Sequence, residues 1–181
     1  MKEKDAMVEL RIHGFGGQGA VTLTKLLTQI AMYDEKKSQA LTFYGVERRG
    51  APVVSLVRIS EEEILQHSQS YEPDYIVVLD DKLKEPAIEF GKKSTTRLII
   101  NQSDKQEKDF DGYQIDAVEL AVNHQLIVNN EPLVNIPMLG AICRIVGLSV
   151  ESLSRVINEK WGMQKGNIYI DVACKGYEMI K

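Results

Sequence analysis

The feature that most constrains this chain is a glycine cluster set between two hydrophobic patterns of different period. Val8, Leu10 and Ile12 alternate as in a strand, and the run Gly14-Phe15-Gly16-Gly17-Gln18-Gly19 follows at once. Val21, Leu23, Thr24, Leu27, Ile30 and Ala31 then repeat with helical spacing. The stretch reads as strand, tight turn, helix. Gly14 lets the chain leave the strand, Gly16 removes a Cβ where something comes close, and Gly19 lets the helix pack flat on the strand. A helix that begins there offers unpaired backbone N–H groups and the positive end of its dipole, a natural cradle for an anion.

The spacing Gly14-x-Gly16-x-x-Gly19 matches the dinucleotide fingerprint. The fingerprint also expects an acid about 20 residues on, at the end of the second strand. Asp34 and Glu35 have that count but fall in a polar turn, Asp34-Glu35-Lys36-Lys37, ahead of the strand that runs from about Ser38 to Phe43. That strand ends in Phe43-Tyr44-Gly45, with no carboxylate. A nicotinamide or flavin enzyme is therefore disfavoured. Gly19 is followed by Ala20-Val21-Thr22 and not by Lys-Ser/Thr, so a P-loop NTPase is excluded. A glycine turn that packs against a neighbouring chain remains open beside ligand binding.

Composition narrows the class. With 44% apolar and 27% charged residues in 181, the chain is expected to be one ordinary domain spanning 1–181. A net charge of −4 and a pI near 5.5 argue against nucleic acid or an anionic membrane as partner. No apolar run approaches a membrane span, and Met1-Lys2-Glu3-Lys4-Asp5 does not read as a signal peptide, so the cytoplasm is the expected location. Cys143 and Cys174 are the only cysteines, far apart in helical patterns. They are too few for an iron–sulfur cluster and read as buried, inert thiols. His13, His67 and His124 have no ligand spacing, so no metal site is expected.

Tyr44-Gly45-Val46-Glu47-Arg48-Arg49-Gly50-Ala51-Pro52 is a shaped loop with a carboxylate and two guanidiniums at its centre. It leaves the C-terminal end of the second strand, where ligands and partners meet an open α/β sheet. Val53 to Ile59 forms the next strand. Ser60, with Glu61, Glu62 and Glu63 behind it, reads as a helix cap. Tyr75 to Leu79 is a doubly covered strand, and Asp80-Asp81 reads as a cap for a weak helix around Pro86 that Gly91 closes. Arg97 to Asn101 is a short buried strand, and 101–111 an exposed excursion. Tyr113 to Ala117 is the last strand, followed by a helix from Leu120 to Leu126. Met138, Leu139, Ile142, Cys143 and Val146 make one apolar helix face ending at Gly147. Ser149 caps the next helix and Asn167 a final one. The fold class is α/β: a three-layer, Rossmann-like, mostly parallel sheet with a helical C-terminal third.

His13 to Thr22, together with Tyr44-Gly45-Val46-Glu47-Arg48-Arg49-Gly50-Ala51-Pro52-Val53, resembles the gamma subunit of 2-oxoacid:ferredoxin oxidoreductases. The Glu47 to Val53 wording resembles the pyruvate and branched-chain members most. Asn135-Ile136-Pro137-Met138-Leu139-Gly140-Ala141 and Gly176-Tyr177 also fit. The resemblance implies a multi-subunit enzyme that converts a 2-oxoacid, coenzyme A and oxidised ferredoxin into acyl-CoA, carbon dioxide and reduced ferredoxin. It implies thiamine diphosphate, Mg and iron–sulfur clusters on alpha-, beta- and delta-type subunits, with ferredoxin reached through the complex. This chain would carry no cofactor and no catalytic residue of its own, and would be inactive alone. Gly14, Gly16, Gly17, Gln18 and Gly19, with Arg48 and Arg49, are then candidates either for coenzyme A phosphates or for contacts with another subunit. Tyr44, Glu47, Arg48 and Arg49 are the interface candidates, and for the arginines the interface is preferred. The competing class is a stand-alone Rossmann-like nucleotide-binding or regulatory module.

Overall fold

The computed structural model describes residues 7–44, 51–103 and 108–180. Its centre is a six-stranded sheet built from β1 (Val8–Phe15), β2 (Lys37–Tyr44), β3 (Pro52–Ser60), β4 (Tyr75–Val78), β5 (Arg97–Asn101) and β6 (Gly112–Ile115). The order across the sheet is β2-β3-β1-β4-β5-β6. β1, β4, β5 and β6 pair in parallel, whereas β3 is antiparallel to both β1 and β2. Five strands thus run one way and β3 alone runs back. The C-terminal ends of β1, β2, β4, β5 and β6 share one edge, as the sequence reading of a mostly parallel α/β sheet expects.

The even positions of β1 point to one face. Leu10 and Ile12 join Val57, Ile59, Val77, Leu79, Ile99 and Ile115 under α1 (Ala20–Tyr33), α3 (Ala117–Asn123), α4 (Asn135–Val146) and α5 (Val150–Met179). α1 presents Leu23, Leu26, Leu27, Ile30 and Ala31 to this core. α4 is buried on every side from Asn135 to Cys143, so the single apolar face expected for it is too narrow a description. It lies between the sheet side and α5, where no side of its first two turns meets water. Gly140 and Gly176 make the contact between these helices possible. A Cβ on Gly140 would stand 1.7 Å from the Ala173 carbonyl oxygen, and one on Gly176 would stand 2.1 Å from that of Pro137.

Several local expectations change. Ser60 ends β3 and caps no helix; its Oγ accepts from the Glu62 N–H at 3.1 Å, and 61–74 is irregular. Leu65, the apolar residue one turn beyond Glu61, is 82% exposed and gives a helix there nothing to bury. Asp80 does cap, accepting from Lys82 N–H, and a single 3-10 turn (Asp81–Leu83) leads into α2 (Lys84–Glu89). Asn101 and Gln102 are buried, so the excursion expected over 101–111 does not start at Asn101; 104–107 lies outside the described residues. β6 is not the last strand: beyond α3 comes a small hairpin, β7 (Ile127–Val128) and β8 (Glu131–Pro132), whose turn residues Asn129 and Asn130 have φ of 52° and 64°. α3 begins at Ala117 on an Asp116 cap, three residues before the expected start. Asn167 caps nothing, because the interruption in α5 lies at Gly162 (φ 72°, ψ 164°). Ser149 caps α5 as expected, accepting from Ser152 N–H. Cys143 is buried, but Cys174 is only partly so.

Candidate functional site

The glycine loop joins β1 to α1 at the C-terminal edge of the sheet. Gly14 lies under Leu79 and Ala20, where a Cβ would come within 3.1 Å of the Leu79 side chain. Gly17 (φ 106°) and Gly19 (φ 80°) take conformations that L side chains rarely adopt. Gly16 donates its N–H to the Ala51 carbonyl at 2.9 Å, which ties the loop to the chain just before β3.

Gln18 is spent inside the protein. Its Oε1 accepts from Phe15 N–H at 2.8 Å and its Nε2 donates to Asp80 Oδ2 at 2.8 Å. This amide, read from sequence as a donor for a ligand or partner, instead fixes the loop and fastens it to the turn after β4. Asn101 extends the tie along the edge: Nδ2 donates to the Leu79 carbonyl, and Oδ1 accepts from Ala117 N–H. Sequence reasoning missed Asn101, although a polar residue ending a buried strand was the available signal.

Two clefts of opposite chemistry lie at this edge. One of about 520 Å³ lies beyond the ends of β4, β5 and β6 and is lined by Asp80, Asp81, Asn101, Asp116 and Glu119. Its carboxylates repel phosphate. The other, of about 270 Å³, is lined by Phe15, Gly16, Gly17, Gly19, Val21 and Thr22 and carries no acid among the described residues. It opens onto the start of α1, which has no side-chain cap and no acid in its first turn. The 14 residues of α1 therefore present an unopposed positive end to this cleft.

Arg48, Arg49 and Glu47 lie outside the described residues, and for Tyr44 the description stops at the backbone of β2. The ends that flank this segment, Tyr44 and Ala51, stand at the same sheet edge as the glycine loop. The acid at the fingerprint distance works elsewhere. Asp34 sits at the far end of α1, about 20 Å from the loop by helix rise. There it accepts from Ser149 N–H (2.7 Å), Ser149 Oγ (2.5 Å) and Ser152 Oγ (2.5 Å). Burial pushes its pKa up, and these hydrogen bonds overcome that and leave it lowered. β3, running back between β1 and β2, also fills the place beside β1 that the second strand takes in a dinucleotide fold.

A profile of the pyruvate ferredoxin/flavodoxin oxidoreductase family matches residues 9–179. The chain belongs to this family. The sequence resemblance is thereby borne out. Pyruvate synthase subunit PorC of Methanothermobacter thermautotrophicus is 40% identical over 178 residues, which cover 97% of each chain. The pyruvate/ketoisovalerate oxidoreductases common subunit gamma of Pyrococcus abyssi is 35% identical over 178 residues, 95% of this chain and 96% of that one. The crystal structure of pyruvate oxidoreductase subunit PORC from Thermotoga maritima superposes with a TM-score of 0.78 at 28% identity, over 95% and 96% of the two chains.

Among the described residues no group of three or more His, Cys, Asp or Glu could hold a metal ion. The two cysteines are too few for a cluster of four thiolates, and burial raises the Cys143 thiol well above its ordinary range, with Asp34 adding to the rise. Among the described residues no helix is long and apolar enough to cross a membrane.

Proposed function

We propose that this chain is the non-redox gamma subunit of a 2-oxoacid:ferredoxin oxidoreductase, forms one domain over 1–181, and receives the phosphates of coenzyme A at its glycine loop. Pyruvate is the favoured 2-oxoacid, from the names of the PorC relatives. Alpha-, beta- and delta-type subunits supply thiamine diphosphate with its Mg and the iron–sulfur clusters, and ferredoxin is met through the complex, in the cytoplasm. The observation that carries the site is the acid-free cleft at the uncapped start of α1. Backbone N–H groups there suit a diphosphate, and Arg48 and Arg49 fall in sequence between Tyr44 and Ala51, the described ends at that sheet edge.

A second reading has its own observation. Ile127 and Val128 are 50% and 45% exposed on the β7–β8 hairpin, and Val128 lines a small cleft with Gly17 and Gln18. This apolar edge suits another subunit. Replacing Arg48 and Arg49 by Ala in the reconstituted complex separates the readings. On the coenzyme A reading the complex assembles, KM for coenzyme A rises, and turnover at saturating coenzyme A changes less. If the arginines pair with carboxylates of a partner, assembly itself weakens by about 2–5 kcal/mol. With neither property changed, the loop is a solvated turn and the proposal for it fails.

A further inference from the structure

A groove of about 280 Å³ runs between the β7–β8 hairpin and the part of α5 beyond the break at Gly162, and its lining includes Leu126, Ile127, Val128, Leu133, Ile168 and Lys165. Ile127, Val128 and Ile168 are about half exposed, and Met163, in the first turn after the break, is more exposed still. The α5 wall is held without a ligand: the Trp161 and Tyr169 rings meet edge to face across the break, with centres 4.8 Å apart. No carboxylate lines the groove among the described residues. Lys175, close by on α5, is answered within the chain. Its Nζ donates to Asp171 Oδ2 at 2.6 Å and to His124 Nε2 at 2.8 Å, and the His124 Nδ1–H in turn donates to the Leu120 carbonyl. The Lys165 ammonium has no ion pair or hydrogen bond among the described residues. The groove is therefore apolar with one unanswered positive charge.

That charge selects the occupant. A second copy seated on the same groove brings another Lys165 and no carboxylate to meet it. An anionic lipid surface meets a chain whose net charge is already −4. We propose that the groove docks a segment of another subunit of the same oxidoreductase, which lays apolar side chains on Ile127, Val128 and Ile168 and sets a carboxylate against Lys165. The apolar contacts supply the affinity, and the ion pair fixes which segment fits and in which register. The assignment rests on the reading of this chain as one subunit of a larger complex. It does not depend on what the glycine loop holds.

The complex is reconstituted from this chain and the remaining subunits, and their affinity is measured at low and high salt for wild type, Ile168→Ser, Lys165→Met, Lys165→Glu and Leu65→Ser. All three positions are exposed, so the isolated variants should match wild type in Tm. Leu65 lies on the irregular 61–74 segment over the opposite face of the sheet and controls for a general loss of apolar surface. Ile168→Ser should weaken assembly about tenfold. Lys165→Met should weaken it about two- to fivefold and flatten its salt dependence, and Lys165→Glu should weaken it tenfold or more. Lys165→Met keeps the aliphatic stem and tests the charge even where Ile168→Ser disturbs the helix. Leu65→Ser should have no effect. In the native complex, zero-length carbodiimide cross-linking should join Lys165 to an Asp or Glu of another subunit. If wild type and every variant assemble equally, the groove assignment is overturned and the subunit reading stands. A cross-link from Lys165 to a second copy, with dimers that the Lys165 and Ile168 variants dissociate, would make the groove a self-association face and overturn the assignment. If the wild-type chain joins no other subunit, the subunit reading fails and the assignment falls with it.

Discussion

The two faces of the central sheet are built on opposite principles where β1 and β3 meet. Beneath α1, α3, α4 and α5 the face is apolar and continuous. On the other face, Ile76 and Val78 of β4 and Leu98 and Ile100 of β5 bury a small apolar cluster with Leu83 and Ala87, but Glu9, Arg11 and His13 of β1 and Arg58 of β3 lie under the irregular 61–74 segment and α2. Arg11 and Arg58 are each 1% exposed. Arg58 has a carboxylate partner, Glu9, at 2.7 Å, with Gln39 Oε1 and the carbonyls of Gln66 and Ser68 taking its other donors. Arg11 has none. It donates to His13 Nε2 and to the carbonyls of Ser70, Tyr71, Ala87 and Gly91, and lies 4.8 Å from the Phe90 ring centre. At β1 and β3 the difference is between a side ordered by shape and a side ordered by hydrogen-bond geometry. A segment without regular structure has carbonyls to spare, and the two guanidiniums gather them. Burial lowers the Arg11 pKa to about 10, which leaves it charged at neutral pH.

The largest expected effect comes from making the same kind of substitution on each face. Arg11→Met keeps much of the volume but strands four carbonyls and an imidazole nitrogen, at a cost on the order of 3–5 kcal/mol. Leu27→Met on the apolar face should cost less than about 1.5 kcal/mol, although Leu27→Ala there should cost about 3 kcal/mol. Urea unfolding of the three variants measures this directly. Equal costs for the two Met variants would mean that the polar face is held by packing after all.

Next in size is a pH effect confined to the polar face. Burial, and then the Arg11 charge, lower the His13 pKa to about 4. In the unfolded chain an imidazole takes up its proton near pH 6.5. Between those values the unfolded state binds more protons, so stability is complete above about pH 6.5 and falls as pH drops toward 4. The full loss is about 3 kcal/mol. His13→Gln, which keeps an acceptor for Arg11 and does not titrate, should flatten the stability profile between pH 6.5 and 4. An unchanged slope would mean that His13 already carries its proton in the folded protein.

A smaller effect is expected where α1 meets α5 on the apolar side. Asp34→Ala removes a carboxylate that holds both Ser149 and Ser152, at a cost of about 1–2 kcal/mol. Because its pKa is lowered in the folded state, this contribution is present at neutral pH and is lost as pH falls through the carboxylate range. Thermal melts at pH 7 and pH 3 should show the variant's deficit shrinking in acid.

The two faces also differ in how far they could be read from sequence. Period-2 and period-3.6 patterns report burial of apolar groups, and they located β1, β3, β4, β5, α1 and the start of α5. They have no term for a buried arginine, so neither Arg11 nor Arg58 was singled out. The order of strands was equally out of reach, since nothing local says that β3 runs back between β2 and β1. At the candidate site the glycine spacing located the loop, and the absence of an acid after β2 turned the reading away from dinucleotides. Gln18's internal role and Asn135's place behind Gly19 depend on contacts across 62 and 116 positions of sequence, which no local pattern records.

The central claim is that this chain is a cofactor-free subunit of a larger 2-oxoacid oxidoreductase. The most direct measurement is affinity purification on this chain from its native source under anaerobic conditions, followed by polypeptide, thiamine diphosphate, iron and acid-labile sulfide analysis and by assay of the eluate. The account predicts co-elution with other subunits that carry thiamine diphosphate and iron–sulfur clusters, and coenzyme A-dependent oxidation of pyruvate with ferredoxin reduction. It also predicts no colour and no turnover once this chain is separated. Recovery of the chain alone, or 2-oxoacid oxidation by the isolated polypeptide, would contradict it.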